Sequence, residues 1–411
     1  MTFNKAISPS AETGEEQFAL DEMLISCTDK RGVIRYANEV FRRLSGLEWD
    51  RLVGAPYRSL RHPDMPKAVF WLLWKTIQAD KPMVAYVKNR SATGRWYWVL
   101  AAVIPIGGGY VSASIKPTSP LVAQVRTLYS EVLAAEQTLS PEKAADLMLQ
   151  RLGDLGFASH ADFAARALDL ELGARDAATG ATNAETARIL ASVGTNLTGM
   201  GVKQADLMRE FDALQSIPTN MRIIASRLEP SGGPISAISD NYKFSSTEIA
   251  RRLEAFAGSD KNLCTAMSDN VRDGLFLSSI ARLMSQLSAS AAGEGANRSG
   301  ADHDAQHRVF QQVVGAYSQL AQSTMLQSER VLGDLNTASG EIRRMMLGLD
   351  TIRVMGRVES GRLGAGGVGL SATIDQLDTR HAIIAELLQS LMDLSAGTKA
   401  GINAYLRQFG G

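Results

Sequence analysis

Arg61, His62 and Asp64 share one six-residue stretch, RHPDMP, with two prolines, in a chain that has five histidines. Two cations beside an acid can hold the polar edge of a cofactor through charge-assisted hydrogen bonds. The same residues can also make a stiff turn, with proline fixing the backbone and Asp64 capping the helix that follows. A second cluster, His303 and His307 beside Asp302 and Asp304, would set two imidazoles on one helix face, a spacing that suits a metal ion; it equally reads as the polar start of a helix. The two cysteines, Cys27 and Cys264, have no CxxC partner and read as small core residues.

These residues need elements to position them, and the chain changes character near residue 120. Before it, MLISCT and VIRYA flank the turn signal DKRG and form a hairpin. NEVFRRLSGL has helical spacing, with Gly46 as its C-cap. After RHPDMP, Val69, Phe70, Leu73, Trp74 and Ile77 fall on one helical stripe. MVAYVKNR, GRWYWVLAAVIPI and GYVSASIK then alternate with period two, which places Trp96 and Trp98 on one face of the sheet and Tyr97 on the other. The reading is a small α+β domain, a five-stranded antiparallel sheet with short helices, over residues 21–118, preceded by a flexible segment over residues 1–20.

Beyond residue 120 the pattern is helical and broken at Gly and Pro clusters. It predicts a helical connector over residues 119–180 and an all-α bundle of long helices over residues 181–411. NMRIIASRLEPSGG and DTIRVMGRVESGRLGAGG look alike when Arg227 is set against Arg357 and Glu229 against Glu359. From this we expect two helical hairpins, about 181–290 and 303–409, packed as a single-chain four-helix bundle.

Lys plus Arg and Asp plus Glu are both 43, so no net field draws nucleic acid or an anionic surface. No apolar stretch has the length of a transmembrane helix, and the first residues lack the core of a signal peptide. With no disulfide framework either, the expected setting is the cytoplasm. The phosphate-loop, GxSxG and HExxH patterns are absent, so the expectation is a non-enzymatic protein.

TDKRGVIRYAN, RHPDMP, VKNR and GRWYWV, collinear between Leu24 and Lys116, resemble the PAS domains of the aerotaxis receptor (Aer) family. That resemblance implies noncovalent FAD and redox sensing for chemotaxis, with Asn38, Arg61, His62, Asp64, Trp74, Asn89 and Trp98 at family-matching positions. Met83 departs from the Trp of many relatives. Some PAS sensors instead hold haem through a histidine, which makes haem b at His62 the alternative, and a cofactor-free interaction module is a further one. VESGRLGAGGVGLSATIDQL, residues 358–377, resembles a degenerate tip of the chemoreceptor signalling hairpin. This implies that Glu359 and Arg362 meet chemotaxis signalling partners, with homo-oligomerisation left open. Ser360, Gly361, Leu363 and Ala365 depart from that motif, and Gln311 and Gln312, the best candidate adaptation pair, lack small neighbours upstream.

Overall fold

The computed structural model describes residues 14–407 except 158, 181–183, 229–233, 259–261, 296–300 and 363–367. The side chains at 290–295 and 301–307 also lie outside the described residues, and with them the pair His303 and His307.

Strands β1 (Met23–Asp29), β2 (Ile34–Ala37), β3 (Met83–Arg90), β4 (Trp96–Ile106) and β5 (Gly109–Ile115) form one antiparallel sheet in the order β2-β1-β5-β4-β3. The β1–β2 turn closes on Asp29, whose Oδ1 accepts the N–H groups of Arg31 and Val33, with Gly32 at φ 76°. Gly109 is required by close approach, since a Cβ there would collide with the Thr28 carbonyl.

One face of the sheet is covered by α1 (Glu39–Ser45), α2 (Trp49–Leu52), a 3-10 turn (Tyr57–Leu60) and α3 (Lys67–Gln78). Asn38 fixes the first of these. Its Oδ1 accepts from Ile25 N and Phe41 N, and its Nδ2 donates to the Met23 carbonyl, so one amide caps α1 and ties it to β1. Asp64 does not cap α3, whose N-cap position is Pro66. The Glu136 carboxylate takes that place and accepts the Ala68 N–H at 2.7 Å.

The other face is covered as well, by α4 (Leu121–Ala135) and α6 (His160–Thr179), with α5 (Pro141–Asp154) between them in the chain. Trp98 packs on Tyr129, and Tyr86 on Phe163, at ring-centroid distances of 6.3 and 6.1 Å. Residues 119–180, expected as a connector, thus form the second wall of the domain. With both faces covered, β3, β4 and β5 have no exposed residue, and the period-two pattern there is not an alternation of core with solvent. The expectation of a flexible segment through residue 20 does not hold from Gly14 on: Glu16 N donates to the Trp96 carbonyl, Trp96 N donates to Gly14, and Phe18 is buried.

The remaining helices are α7 (Ala184–Gln215), α8 (Ile217–Leu228), α9 (Pro234–Leu253), α10 (Leu263–Gly295), α11 (Ala301–Arg362) and α12 (Val368–Arg407). The chain clusters into two compact units, residues 1–187 with 272–322, and residues 188–271 with 323–411. This division runs across the expected boundaries, because residues 272–322 join the unit of the sheet.

In the second unit two hairpins pack together. Arg222 pairs with Asp240 across α8 and α9, and Arg357 with Asp375 across α11 and α12, both over 18 residues. The two pairs are related by an offset of 135 residues, as are the buried residues Leu214 and Leu349, Ile249 and Ile384, and Leu253 and Leu388. The repeat is therefore in register at 135 and not at the 130 that matched Arg227 with Arg357; Arg227 corresponds to Arg362. The hairpins are joined by Arg380–Glu210 and Arg252–Glu341 and by a buried group in which His381 bonds Tyr242 on one side and Asp350 on the other. Among the described residues, no helix is long and apolar enough to cross a membrane.

Candidate functional site

The segments RHPDMP and VKNR, far apart in the chain, meet at the outer edge of β3. Arg61 bridges to Asn89 as an added antiparallel pair, and His62 N donates to the Lys88 carbonyl at 3.2 Å. Lys88 N donates to the Met65 sulfur at 3.2 Å, and Lys88 Nζ to Asp64 Oδ2 at 2.6 Å. Arg61 is extended against the edge strand, and the chain then turns through Pro63 and Asp64, with Met65 N donating to the His62 carbonyl at 3.1 Å.

Inside this edge, between α3 and the sheet, lies a cavity of about 60 Å³, open at its mouth. Phe70, Leu73, Trp74 and Ile77 wall one side; Val87, Ala101 and Val103 form the other; Tyr57, Arg61 and Ser112 supply polar groups. Trp74 packs edge-on to Tyr110 at 5.7 Å and crowds Gly32, where a Cβ would stand 3.1 Å from the indole.

Arg61 sits with its guanidinium carbon 3.6 Å from the centre of the Phe70 ring. Burial lowers its pKa from the usual value, partly offset by Tyr57. Its Nε has no hydrogen-bond partner, and neither has Oδ1 of Asn89, which is 1% exposed. The Asn89 amide lies against the Tyr57 hydroxyl, whose pKa burial pushes up. Orphaned buried polar atoms beside an apolar cavity are the mark of a missing polar partner.

The seven residues singled out from sequence separate in space. Arg61 and Trp74 line the cavity, whereas Asn89 does not and lies behind two of its lining residues, paired with Arg61 and against Tyr57. Asn38 is consumed by its three backbone bonds. Trp98 lies on the far face of the sheet, against Tyr129 and under Arg126. Asp64 is exposed and held by Lys88. His62 accepts the Asp64 N–H on Nδ1, and burial lowers its pKa. Among the described residues no histidine lines the cavity, so the geometry lends nothing to axial haem ligation. Sequence reasoning missed Tyr57, Tyr110 and Ser112; Phe70, Leu73 and Ile77 were already visible as the stripe on α3. Burial pushes the thiols of Cys27 and Cys264 up to about 12, which disfavours the reactive thiolate. Glu359 and Arg362 close the last turn of α11, paired with each other at 3.3 Å, and residues 363–367 lie outside the described residues.

A five-stranded antiparallel sheet with short helices and a cavity on one face defines a PAS domain, and residues 34–110 match the family model described as PAS fold. The chain is similar to the aerotaxis receptor of Escherichia coli (strain K12), 36% identical over 141 residues, 33% of this chain and 27% of the receptor. It therefore spans about a quarter of the length of the curated relative it matches, and the segment is an aerotaxis-receptor-like PAS domain. Similar solved structures include an RNA-binding light-oxygen-voltage receptor (20% identity, TM-score 0.23, 28% of this chain and 34% of that one). The dark structure of the blue-light photoreceptor Aureochrome1 LOV is another (19% identity, TM-score 0.23, 27% and 86%).

Proposed function

We propose that the protein is a redox sensor and signal transducer of the aerotaxis type, with FAD held in the α3–sheet cavity and a non-enzymatic output to chemotaxis signalling proteins in the cytoplasm. The observation that supports this reading is the orphaned Nε of Arg61, a lining residue of the aromatic-walled cavity, with the orphaned Asn89 Oδ1 beside it.

A bound flavin supplies one- and two-electron redox chemistry with a change in charge. Phe70, Leu73 and Trp74 would flank the ring system and exclude water. Asn89 Oδ1 would accept an N–H from a heterocycle edge, while Arg61 would offset negative charge gained on reduction. Arg61 is suited to this because its stacking on Phe70 holds the guanidinium in place. Both residues sit where RHPDMP docks on β3, so a change in charge there acts on the edge strand of the sheet.

The test is the absorption spectrum of the purified full chain, as isolated and after incubation with FAD. Flavin bands that bleach on reduction are the expected result. A chain that stays colourless after reconstitution overturns the cofactor and leaves the cofactor-free interaction module, and a Soret band would replace flavin by haem.

A further inference from the structure

Helix α6 carries four charged residues on its buried side, Asp162, Glu171, Arg175 and Asp176. Burying a charge is costly unless it is paired, so each asks for a reason. Glu171 is 0% exposed and accepts four hydrogen bonds: Tyr86 Oη at 2.8 Å and Ser119 Oγ at 2.6 Å on Oε1, Thr118 N at 2.6 Å and Ser119 N at 2.9 Å on Oε2. One carboxylate therefore holds together β3, the segment leaving β5 and α6. Five residues on, about 7.5 Å along a rigid helix, Asp176 pairs with Arg282 and accepts from Gln286 at 2.9 Å, both on α10. Arg175 donates to the Asp21 carbonyl at 2.6 Å and also bonds Leu20.

Tyr86 is the neighbour of Val87 on β3, and the two point to opposite faces. Val87 lines the cavity and Tyr86 meets Glu171. β3 is the edge strand of the sheet, bonded on its outer side to the RHPDMP segment and not to another strand, and can shift together with that segment. We propose that Glu171 is a latch which passes movement of β3 at the cavity through α6 to α10. The latch depends on the four bonds to Glu171 and on the Asp176–Arg282 contact, and it holds whatever ligand the cavity takes.

Hydrogen–deuterium exchange on the full chain tests it, with Tyr86→Phe, which removes one bond and keeps the ring, and with Glu171→Gln, which keeps the shape and removes the charge. Loss of a hydrogen bond to a buried charge predicts exchange faster by about tenfold or more. The expected pattern is acceleration in residues 160–179 and also in 272–287, with β1 and β5 unchanged. Tyr129→Phe, which removes a bond to the Tyr86 carbonyl and leaves the bonds to Glu171 in place, should affect 272–287 only in proportion to any loosening of β3, and less than Tyr86→Phe does. Acceleration confined to β3 and residues 117–119 overturns the latch, and so does an equal response of 272–287 to Tyr129→Phe. If Glu171→Gln fails to fold, the Tyr86→Phe result decides alone.

Discussion

Trp74 and Trp98 stand on opposite faces of one sheet: Trp74 closes the cavity beside Tyr110, and Trp98 packs beneath α4 against Tyr129. Two aromatic residues that look equivalent as flavin contacts therefore make different predictions. Trp74→Ala should remove flavin absorbance from the purified protein, as should Arg61→Ala. Trp98→Phe should keep the flavin bands and lower the melting temperature by a few degrees through lost packing. Loss of flavin in Trp98→Phe at unchanged stability would contradict this division of the sheet.

Asn38 matches the family at a site-like position yet works as a strut. Asn38→Ala breaks three buried hydrogen bonds and should cost about 2–4 kcal/mol. The measurement is the urea midpoint of the full chain followed by tryptophan fluorescence, since all five tryptophans lie between residues 49 and 98. Flavin binding per folded molecule should be unaltered.

His160 gives the first unit a dependence on acid. Burial beside Phe163 drops its pKa from the ordinary value of 6.5 to about 4. Between those values the unfolded chain takes up a proton that the folded chain refuses. Stability should therefore be level in this respect above pH 6.5 and should fall as the pH drops toward 4, by up to about 3 kcal/mol. His160→Phe should flatten that part of the stability profile, read by chemical denaturation at a series of pH values.

His381 should act in the same direction in the second unit. Burial lowers its pKa, Asp350 opposes that shift, and Arg353 adds to it, while Tyr242 bonds the other ring nitrogen. The neutral ring is the folded form, so the bundle should lose stability as pH falls below the ordinary histidine value. His381→Gln should reduce that slope in exchange rates measured over α9 and α12.

Much of this architecture was legible because the relevant signals are local. DKRG fixes the first hairpin, Gly46 ends α1 in the left-handed conformation that glycine accepts, and the stripe on α3 foretells the cavity wall. The meeting of RHPDMP with VKNR could be suspected only from the resemblance, since nothing in either segment states which strand edge receives the other. The second wall of the domain was hidden for a physical reason. Charged residues such as Glu171, Arg175 and Asp176 ordinarily belong on a solvated helix face, and only their distant partners, Tyr86, Leu20 and Arg282, make burial tolerable. The repeat was seen but misplaced by five residues, because glycines and arginines near a helix end align in more than one way. The ion pairs Arg222–Asp240 and Arg357–Asp375 fix it.

The offset of 135 sets Tyr242 in correspondence with Leu377, and His381 with Ser246. One hairpin carries the phenol and the other the imidazole, so the bond between them forms only when the two different hairpins pair. Two copies of the first hairpin would bury a tyrosine hydroxyl with no histidine to meet it, and two copies of the second would leave the histidine facing leucine. Each mismatch strands a polar group at a cost of about 1–3 kcal/mol. A duplicated structure that could exchange hairpins with its neighbours is thus keyed to recognise its own other half.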